Sequence, residues 1–481
     1  MAIVDVEMVE DHERFRAELA SVAPDGKRKW IYARKPSGRF YNLRTVLSIV
    51  LLAFLFLSPF VKVNGHQFLL FNILERRFVF FGLPFWPNDF YLVALMFLLG
   101  VVTIVLFTST LGRFWCGWLC PQTIFMEMVF RRIEWLIDGP PKEQARRDGG
   151  PWDWQRIWRF VLKIGVFFGI SFLIANTFLA YIVSSDALLQ YVTDGPAQHA
   201  DLFIGLVFFT LVFFLVFYRY REQACVIACP YGRYMSALVD QNTLAVTYDY
   251  KRGERRAKWT REDVAAKKMS KGGTVQRPQN NGDCVDCFQC VTVCPTGIDI
   301  RDGIQLDCVN CTACIDACDE VMDKVGLPKG LIRYSSLSAV ENGRSTWFTK
   351  RTAAYIAVWS VLVAVLVMLF VLRSDLDVSV LRQEGTTWVT TKEGLGNVYR
   401  IQIINKSASD REFELHVINP SNATLLPLGI PHIVKSQEIV KGRFILSLPK
   451  SSLTSSNVPV EIQIRSNNER VADIQTTFLA P

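Results

Sequence analysis

Two runs decide how this chain is read: "CVDCFQCVTVCP", residues 284–295, and "CVNCTACIDACD", residues 308–319. Both spell C-x-x-C-x-x-C-x-x-x-C, and together they hold eight of the twelve cysteines. Thiols this close are crosslinked, oxidised or tied to metal. The other four make two further pairs, "CGWLCP" from Cys116 and "CVIACP" from Cys225, each spelling C-x-x-x-C-P. Which chemistry applies depends on the compartment, and the compartment is read from the rest of the chain.

The 481 residues are too many for one ordinary core, so several units are expected. Half the residues are apolar and 34 are Phe, and this richness is concentrated. Five uncharged apolar blocks, at 45–61, 90–111, 164–185, 202–218 and 352–372, approach the ~20 residues a helix needs to cross a bilayer. Buried helices of a large soluble core are the alternative, and five charge-free blocks argue against it. No cleavable leader is visible: the first block follows some 44 polar residues and precedes Lys62, so it is expected to remain as a signal anchor.

Lys and Arg counts orient the spans. Residues 1–44 carry nine, 62–89 three, 112–159 eight, 184–201 none and 219–351 twenty. The alternation predicts an inside N-terminus, five crossings and an outside C-terminus. That orientation accounts for the net charge of +8, and no nucleic-acid partner is expected. The basic run "KRGERRAKWTRED" from Lys251 reads as a cytoplasmic linker lying on the lipid surface.

With that orientation every cysteine lies on the cytoplasmic side or at that edge of the bilayer. A reducing compartment keeps thiols free for metal, which disfavours disulfides. Three cysteines spaced two apart wrap three corners of a 4Fe–4S cube with one loop. The fourth, three residues on, serves the other cube in two-cluster ferredoxins. The spacing therefore predicts a crosswise assignment: Cys284, Cys287, Cys290 and Cys318 on one cluster, Cys308, Cys311, Cys314 and Cys294 on the second. Structural zinc uses separated C-x-x-C pairs, and eight cysteines in two matching runs are wrongly grouped for it. Pro295 follows Cys294 as the ferredoxin pattern expects. Asp319 stands where a second proline is usual, and an altered turn or potential is expected there. Nine carboxylates and one basic residue, Arg301, fall between Asp283 and Asp323. They offer a docking face for a basic redox donor or simply a solvated surface.

The C-x-x-x-C-P pairs each follow an outside-to-inside crossing. "RFWCGWLCP" from Arg113 and "REQACVIACP" from Arg221 look like one unit used twice, 109 residues apart. Cysteines four apart share a helix face, and Pro121 and Pro230 place each pair at a helix boundary. Two such pairs entering one membrane layer are expected to converge as four thiolates, Cys116, Cys120, Cys225 and Cys229, for which Cu(I), Fe–S or Zn are all suitable guests. Four buried structural thiols are the plain alternative.

Five spans, a double cluster run between the fourth and fifth, and paired C-x-x-x-C-P motifs resemble the FixG/RdxA/CcoG family of cytochrome c oxidase accessory proteins. "YDYKRGE" from Tyr248 looks like that family's linker. The resemblance implies maturation of cbb-type haem-copper oxidases in a bacterial inner membrane, with Cu(II) reduced to Cu(I) before insertion. It makes Cys116, Cys120, Cys225 and Cys229 candidate catalytic, copper-handling thiols fed by the eight ferredoxin cysteines. Expected partners are oxidase assembly factors, copper chaperones or transporters, and a cytoplasmic electron donor. Spacing alone shows a redox module beside a soft-ligand site. Whether those four thiols hold copper, a third cluster or cycle as dithiols is open.

Residues 374–481 change character. "NVYRIQIINKS" from Asn397, "REFELHVINP" from Arg411, "GRFILSLP" from Gly442 and "VPVEIQIRSN" from Val458 alternate apolar and polar at period two. Turns rich in Asn, Ser, Pro and Gly separate them, as in an immunoglobulin-type β-sandwich. It holds no cysteine; His416 and His432 read as structural or surface residues, as do His66 and His199 in the outer loops.

The expected fold class is thus a multi-domain membrane protein: a five-helix transmembrane bundle, an inserted bacterial-type two-cluster ferredoxin of α+β build, and an all-β immunoglobulin-like sandwich. Its domains are 1–44, a cytoplasmic N-terminal segment; 45–240, four spans with both C-x-x-x-C-P motifs; 241–350, linker and ferredoxin with the cluster core at 283–323; 351–373, the fifth span; and 374–481, the periplasmic sandwich. A quinol dehydrogenase-type membrane polyferredoxin and a non-enzymatic redox-sensing scaffold are the rival functions; the C-terminal sandwich favours the accessory-protein reading.

Overall fold

The computed structural model describes Val22, Asp25 and residues 27–480, apart from 64, 74–76, 87–88, 262, 265–280, 306, 344–347, 375, 384–387, 392–393, 408, 437, 450–452, 454 and 467–468. Five described helices are long and apolar enough to cross a membrane: Arg39–Phe60, Phe90–Leu111, Trp154–Val183, Ala200–Tyr220 and Lys350–Val371. They coincide with the five apolar blocks, but two begin earlier than hydropathy suggests. The third gains a polar first turn because Asp153 accepts from the Arg156 amide and caps it. The first starts at Arg39 because the Asp316 carboxylate takes the amide hydrogens of Phe40 and Tyr41, at 3.2 and 2.8 Å. A helix N-terminus welcomes a carboxylate, and this one comes from some 275 residues away.

The chain divides into two compact units. One comprises Met1–Lys62, Gln67–Arg76 and Val93–Ala364. Its membrane part packs through aromatic rings from the first, third and fourth spans around Phe125, Phe130, Phe167 and Phe217. Phe130 stacks on Phe217 at 4.5 Å between centroids and meets Phe167 edge-on at 4.7 Å. Such pairs contribute about 0.5–1.5 kcal/mol beyond area burial. The second span meets the fifth where Trp359 Nε1 donates to Thr103 Oγ1 at 2.9 Å.

In the same unit the cysteine-rich module forms a small α+β body. Strands Ala245–Tyr248 and Ile332–Ser335 pair antiparallel, and helices Gln289–Thr292 and Ala313–Val325 lie beside them. Its core joins Val246, Tyr248, Ile298, Ile300, Ile315, Met322 and Ile332 with Cys284, Cys290 and Cys318. The altered turn expected after Cys318 takes the form of an uninterrupted helix. Asp319, unlike proline, keeps an amide hydrogen for the helix, so Ala313–Val325 runs straight through, and the Asp319 carboxylate accepts from the Gly330 amide at 3.0 Å.

The other unit comprises Val63–His66, Arg77–Leu92 and Val365–Pro481. Strand Gly394–Asn405 is central, pairing antiparallel with Ile439–Leu448, Leu376–Arg382 and the short Val389–Thr391; Thr424–Leu428 extends the sheet beyond Ile439–Leu448. A second sheet orders Glu414–Asn419, Asn457–Ser466 and Glu469–Leu479. Inward residues of both sheets, among them Tyr399, Phe444, Ile462 and Phe478, share one core. Two polar ties cross it: Tyr399 Oη donates to Thr477 O at 3.0 Å, and Asn397 Nδ2 to Leu479 O at 2.9 Å. All four strands expected from alternation are present. Strands Leu376–Arg382 and Glu469–Leu479 were not among those read from the sequence, although Leu376, Val378 and Val380 alternate with Asp377 and Ser379.

Asp89, just before the second span, is 1% exposed and answers two cations: Arg373 after the fifth span at 2.7 Å and Lys406 after the central strand at 2.6 Å. Replacing Asp89→Asn strands the desolvated Arg373 and leaves Lys406 with Asp377 alone, at 3.3 Å, and the expected cost is about 3–5 kcal/mol. A lowered unfolding midpoint of detergent-solubilised protein checks this; an unchanged midpoint would refute it.

Candidate functional site

The two C-x-x-C-x-x-C loops have the same backbone. Asp286 and Phe288 in the first, and Asn310 and Thr312 in the second, have positive φ of 48°, 56°, 54° and 66°. These are the second and fourth residues after the leading cysteine of each loop. Left-handed non-glycine residues are strained and gather at functional sites. Interleaved with ordinary conformations, they turn successive amides toward a common anion. Each loop thus has the form of a cradle for an anionic cluster.

The cysteines group across the loops. Cys318 lies in electrostatic range of Cys290, Cys284 and Cys287. Cys294 stands in range of Cys308, Cys311 and Cys314. Burial pushes the thiols of Cys290 and Cys308 up to about 12 and that of Cys311 to about 11. Neutral thiols are favoured at these positions unless a metal core holds the thiolates. Among the described residues, no three His, Cys, Asp or Glu side chains converge as one metal ion would need. A cube has no such need, since each of its cysteines binds a different iron. Matched cradles, buried sulfur and crosswise grouping therefore fit two 4Fe–4S clusters. The groups differ in outlook: Cys287 is exposed, whereas Cys311 is buried.

The second pair of motifs sits at helix breaks. Cys116 belongs to helix Phe114–Trp118, and Cys120 is the extended residue before Pro121 opens the next helix. Cys225 lies in the π-helical turn Ala224–Ala228, and Cys229 is likewise extended before Pro230. The members of each pair do not share one helix face, as the spacing suggested, because proline forces its predecessor out of the helix. A further π-helical turn, Phe125–Phe130, follows the first motif, and such turns gather at functional sites.

The two motifs interlock. Arg113 Nη2 donates to Gly232 O at 2.6 Å, and Tyr231 and Thr108 share a hydroxyl hydrogen bond of 2.7 Å. Cys116 stands in electrostatic range of Cys120 and Cys229, and Cys225 of all three others. Burial raises the thiols of Cys116 and Cys225 to about 12.

One cluster loop rests directly on the first motif. Cys116 packs against the small buried cluster formed by Val293, Val309, Cys311, Ala313 and Ala317. A Cβ on Gly117 would come 2.4 Å from Val309 O and 2.9 Å from Asn310 C, so only glycine permits this approach. Arg44 Nε fixes the other side, donating to Gly117 O at 2.7 Å. Trp118 Nε1 donates to Tyr334 Oη, which donates to Asn310 O, both at 3.0 Å.

Beneath the seam lies a buried set of three arginines and three glutamates. Arg221 makes a bidentate pair with Glu134 at 3.0 and 2.9 Å. Glu222 takes Arg28 at 2.9 Å and lies 3.7 Å from Arg131, which also meets Glu127 at 3.3 Å. Both terminal nitrogens of Arg131 stand 3.4 Å from Pro295 O, beside Cys294. None of these charged residues was singled out from sequence; the trace left there is Arg and Glu placed close to each C-x-x-x-C-P motif.

This is the arrangement of a membrane-integral iron–sulfur protein with a dicluster module seated on the edge of its helix bundle. Comparison with known proteins agrees. A 4Fe-4S dicluster domain model matches residues 220–337, a 4Fe-4S binding domain model residues 93–139, and the model for the IG-like fold at the C-terminal of FixG residues 366–481. RdxB of Cereibacter sphaeroides is 34% identical over 85% of this chain and 86% of its own length. RdxA of the same organism is 32% identical over 90% and 92%. The nitrogen fixation protein FixG of Rhizobium meliloti is 32% identical over 84% and 82%. The chain belongs to the FixG/RdxA family. A FixG-related protein from Vibrio parahaemolyticus aligns over 22% of this chain and 97% of its own, with 16% identity and a TM-score of 0.20.

Gly117→Ala is expected to prise Val309 and Asn310 from the bundle at a cost of about 1–3 kcal/mol. Gly100→Ala, where nothing lies within 4 Å, serves as the control. Faster amide hydrogen exchange at 309–311 in the first variant alone checks the seam.

Proposed function

We propose that this protein reduces Cu(II) to Cu(I) for the maturation of cbb-type cytochrome c oxidase. The observation that carries the reading is the packing of Cys116 and Gly117 against the buried cluster and backbone of the 308–314 loop, which brings a soft-ligand motif against a cluster loop. Cys284, Cys287, Cys290 and Cys318 hold one 4Fe–4S cluster, and Cys294, Cys308, Cys311 and Cys314 the other. When bound, the clusters supply one-electron carriers. The exposed Cys287 marks the end open to a cytoplasmic donor. Cys116, Cys120, Cys225 and Cys229, no three of which converge into one closed site, are the thiols that meet Cu(II), and thiolate softness favours its one-electron reduced form. Burial keeps water and competing hard ligands from the bound ion. The N-terminus and the module at 241–350 face the cytoplasm, and 374–481 faces the periplasm as an immunoglobulin-like domain that docks assembly partners. The spans are those of an inner-membrane protein.

Anaerobic purification is expected to give about eight irons per chain for two cubes; about twelve would place a third cluster at the membrane edge instead. Cys116→Ser and Cys225→Ser are each expected to abolish cupric reductase turnover while leaving cluster iron unchanged. Wild-type turnover in both variants would remove these thiols from the reaction.

A further inference from the structure

The two C-x-x-x-C-P motifs are longer than their cysteines. Each continues with four residues and a methionine: Met126 stands six residues beyond Cys120, and Met235 six beyond Cys229. Both are buried, at 4% and 0% exposure. Met126 packs among Phe125, Phe130 and Phe217. Met235 does something else. It lies on helix Pro230–Leu238 of the second motif, and its Sδ stands 3.9 Å from the Sγ of Cys116 in the first. A thiol and a thioether from opposite halves of the duplicated unit thus face each other beside the cluster loop.

We propose that Met235 is a ligand for Cu(I), completing with Cys116 a mixed thiolate–thioether seat that selects the reduced ion. The proposal rests on the copper reading above and adds the residue that gives it metal specificity. The geometry suits a shared metal. With each sulfur about 2.3 Å from the ion, a 3.9 Å separation subtends roughly 115° at the metal, close to trigonal or tetrahedral. The donor set suits Cu(I) in particular. Thioether sulfur is soft, carries no proton to lose and favours Cu(I), whereas zinc takes thiolate, imidazole and carboxylate. A buried methionine is usually a core filler. A filler would present methylene groups to its neighbours as readily as sulfur; Met235 presents sulfur to sulfur, across the motifs.

The test is Cu(I) binding to the anaerobic full-length protein, measured by competition with a chromophoric Cu(I) chelator. Met235→Leu conserves volume and costs little packing. It is expected to weaken Cu(I) binding by about tenfold or more while leaving zinc binding and cluster iron unchanged. Equal weakening of Cu(I) and zinc would show a packing role and overturn the proposal. Wild-type affinity in Met235→Leu, with loss in Cys116→Ser, would also overturn it and leave the copper reading standing. No Cu(I) retained by the wild-type protein would remove both. A second measurement needs no variant. In selenomethionine-labelled wild-type protein loaded with Cu(I), copper-edge X-ray absorption is expected to show a selenium neighbour; a purely sulfur shell would refute the assignment.

Discussion

The arrangement depends on one close approach: the backbone of Val309 and Asn310, inside a cluster loop, lies on the bare Cα of Gly117, inside a C-x-x-x-C-P motif. Any side chain there would stand a cluster loop away from the thiols at the bundle edge. Arg44, Trp118 and Tyr334 hold the contact from three directions, each hydrogen-bonding to the seam or to the residue beside it. Electron transfer weakens steeply with separation, so the distance set by this glycine bears directly on the chemistry proposed for the site.

The seam has a cost in polar groups, since membrane helices, a cysteine module and a basic N-terminal segment meet away from water. Charges in that setting are tolerated only when paired. Arg28, Arg131 and Arg221 with Glu127, Glu134 and Glu222 sum to zero, and the groups come from three stretches of chain. Each half of the duplicated unit supplies both signs: Glu127, Arg131 and Glu134 follow the first motif, and Arg221 and Glu222 precede the second.

The parts legible in the sequence were those written locally. Helix-length apolar runs, the C-x-x-C-x-x-C repeats and the alternation of "NVYRIQIINKS" each declare themselves within a dozen or so residues. What was not legible depends on residues that meet across the chain. The cap that Asp316 gives to the first span, the ring of buried charge, the Gly117 contact and the Cys116–Met235 approach join positions from 73 to 276 residues apart. Spacing said that the C-x-x-x-C pairs occupy helix faces; proline instead placed Cys120 and Cys229 in extended backbone, which frees their side chains to turn toward the other motif.

Duplication explains why the site tolerates such complexity. One unit, a span entering a cysteine pair and a proline-started helix, occurs twice, and the copies interlock through Arg113 to Gly232, Thr108 to Tyr231 and Cys116 to Met235. A pair used twice brings the cysteines of both motifs within electrostatic range of one another. The copies are not equivalent, however. Only the first carries glycine between its cysteines, and the cluster loop sits on that copy. The second carries valine, isoleucine and alanine in the same positions, side chains that would block the approach Gly117 allows. The duplicated unit is thereby divided in labour: one copy meets the module, and the other brings Met235 to Cys116. A symmetrical pair with glycine in both would gain a second seat for a module of which the chain has one.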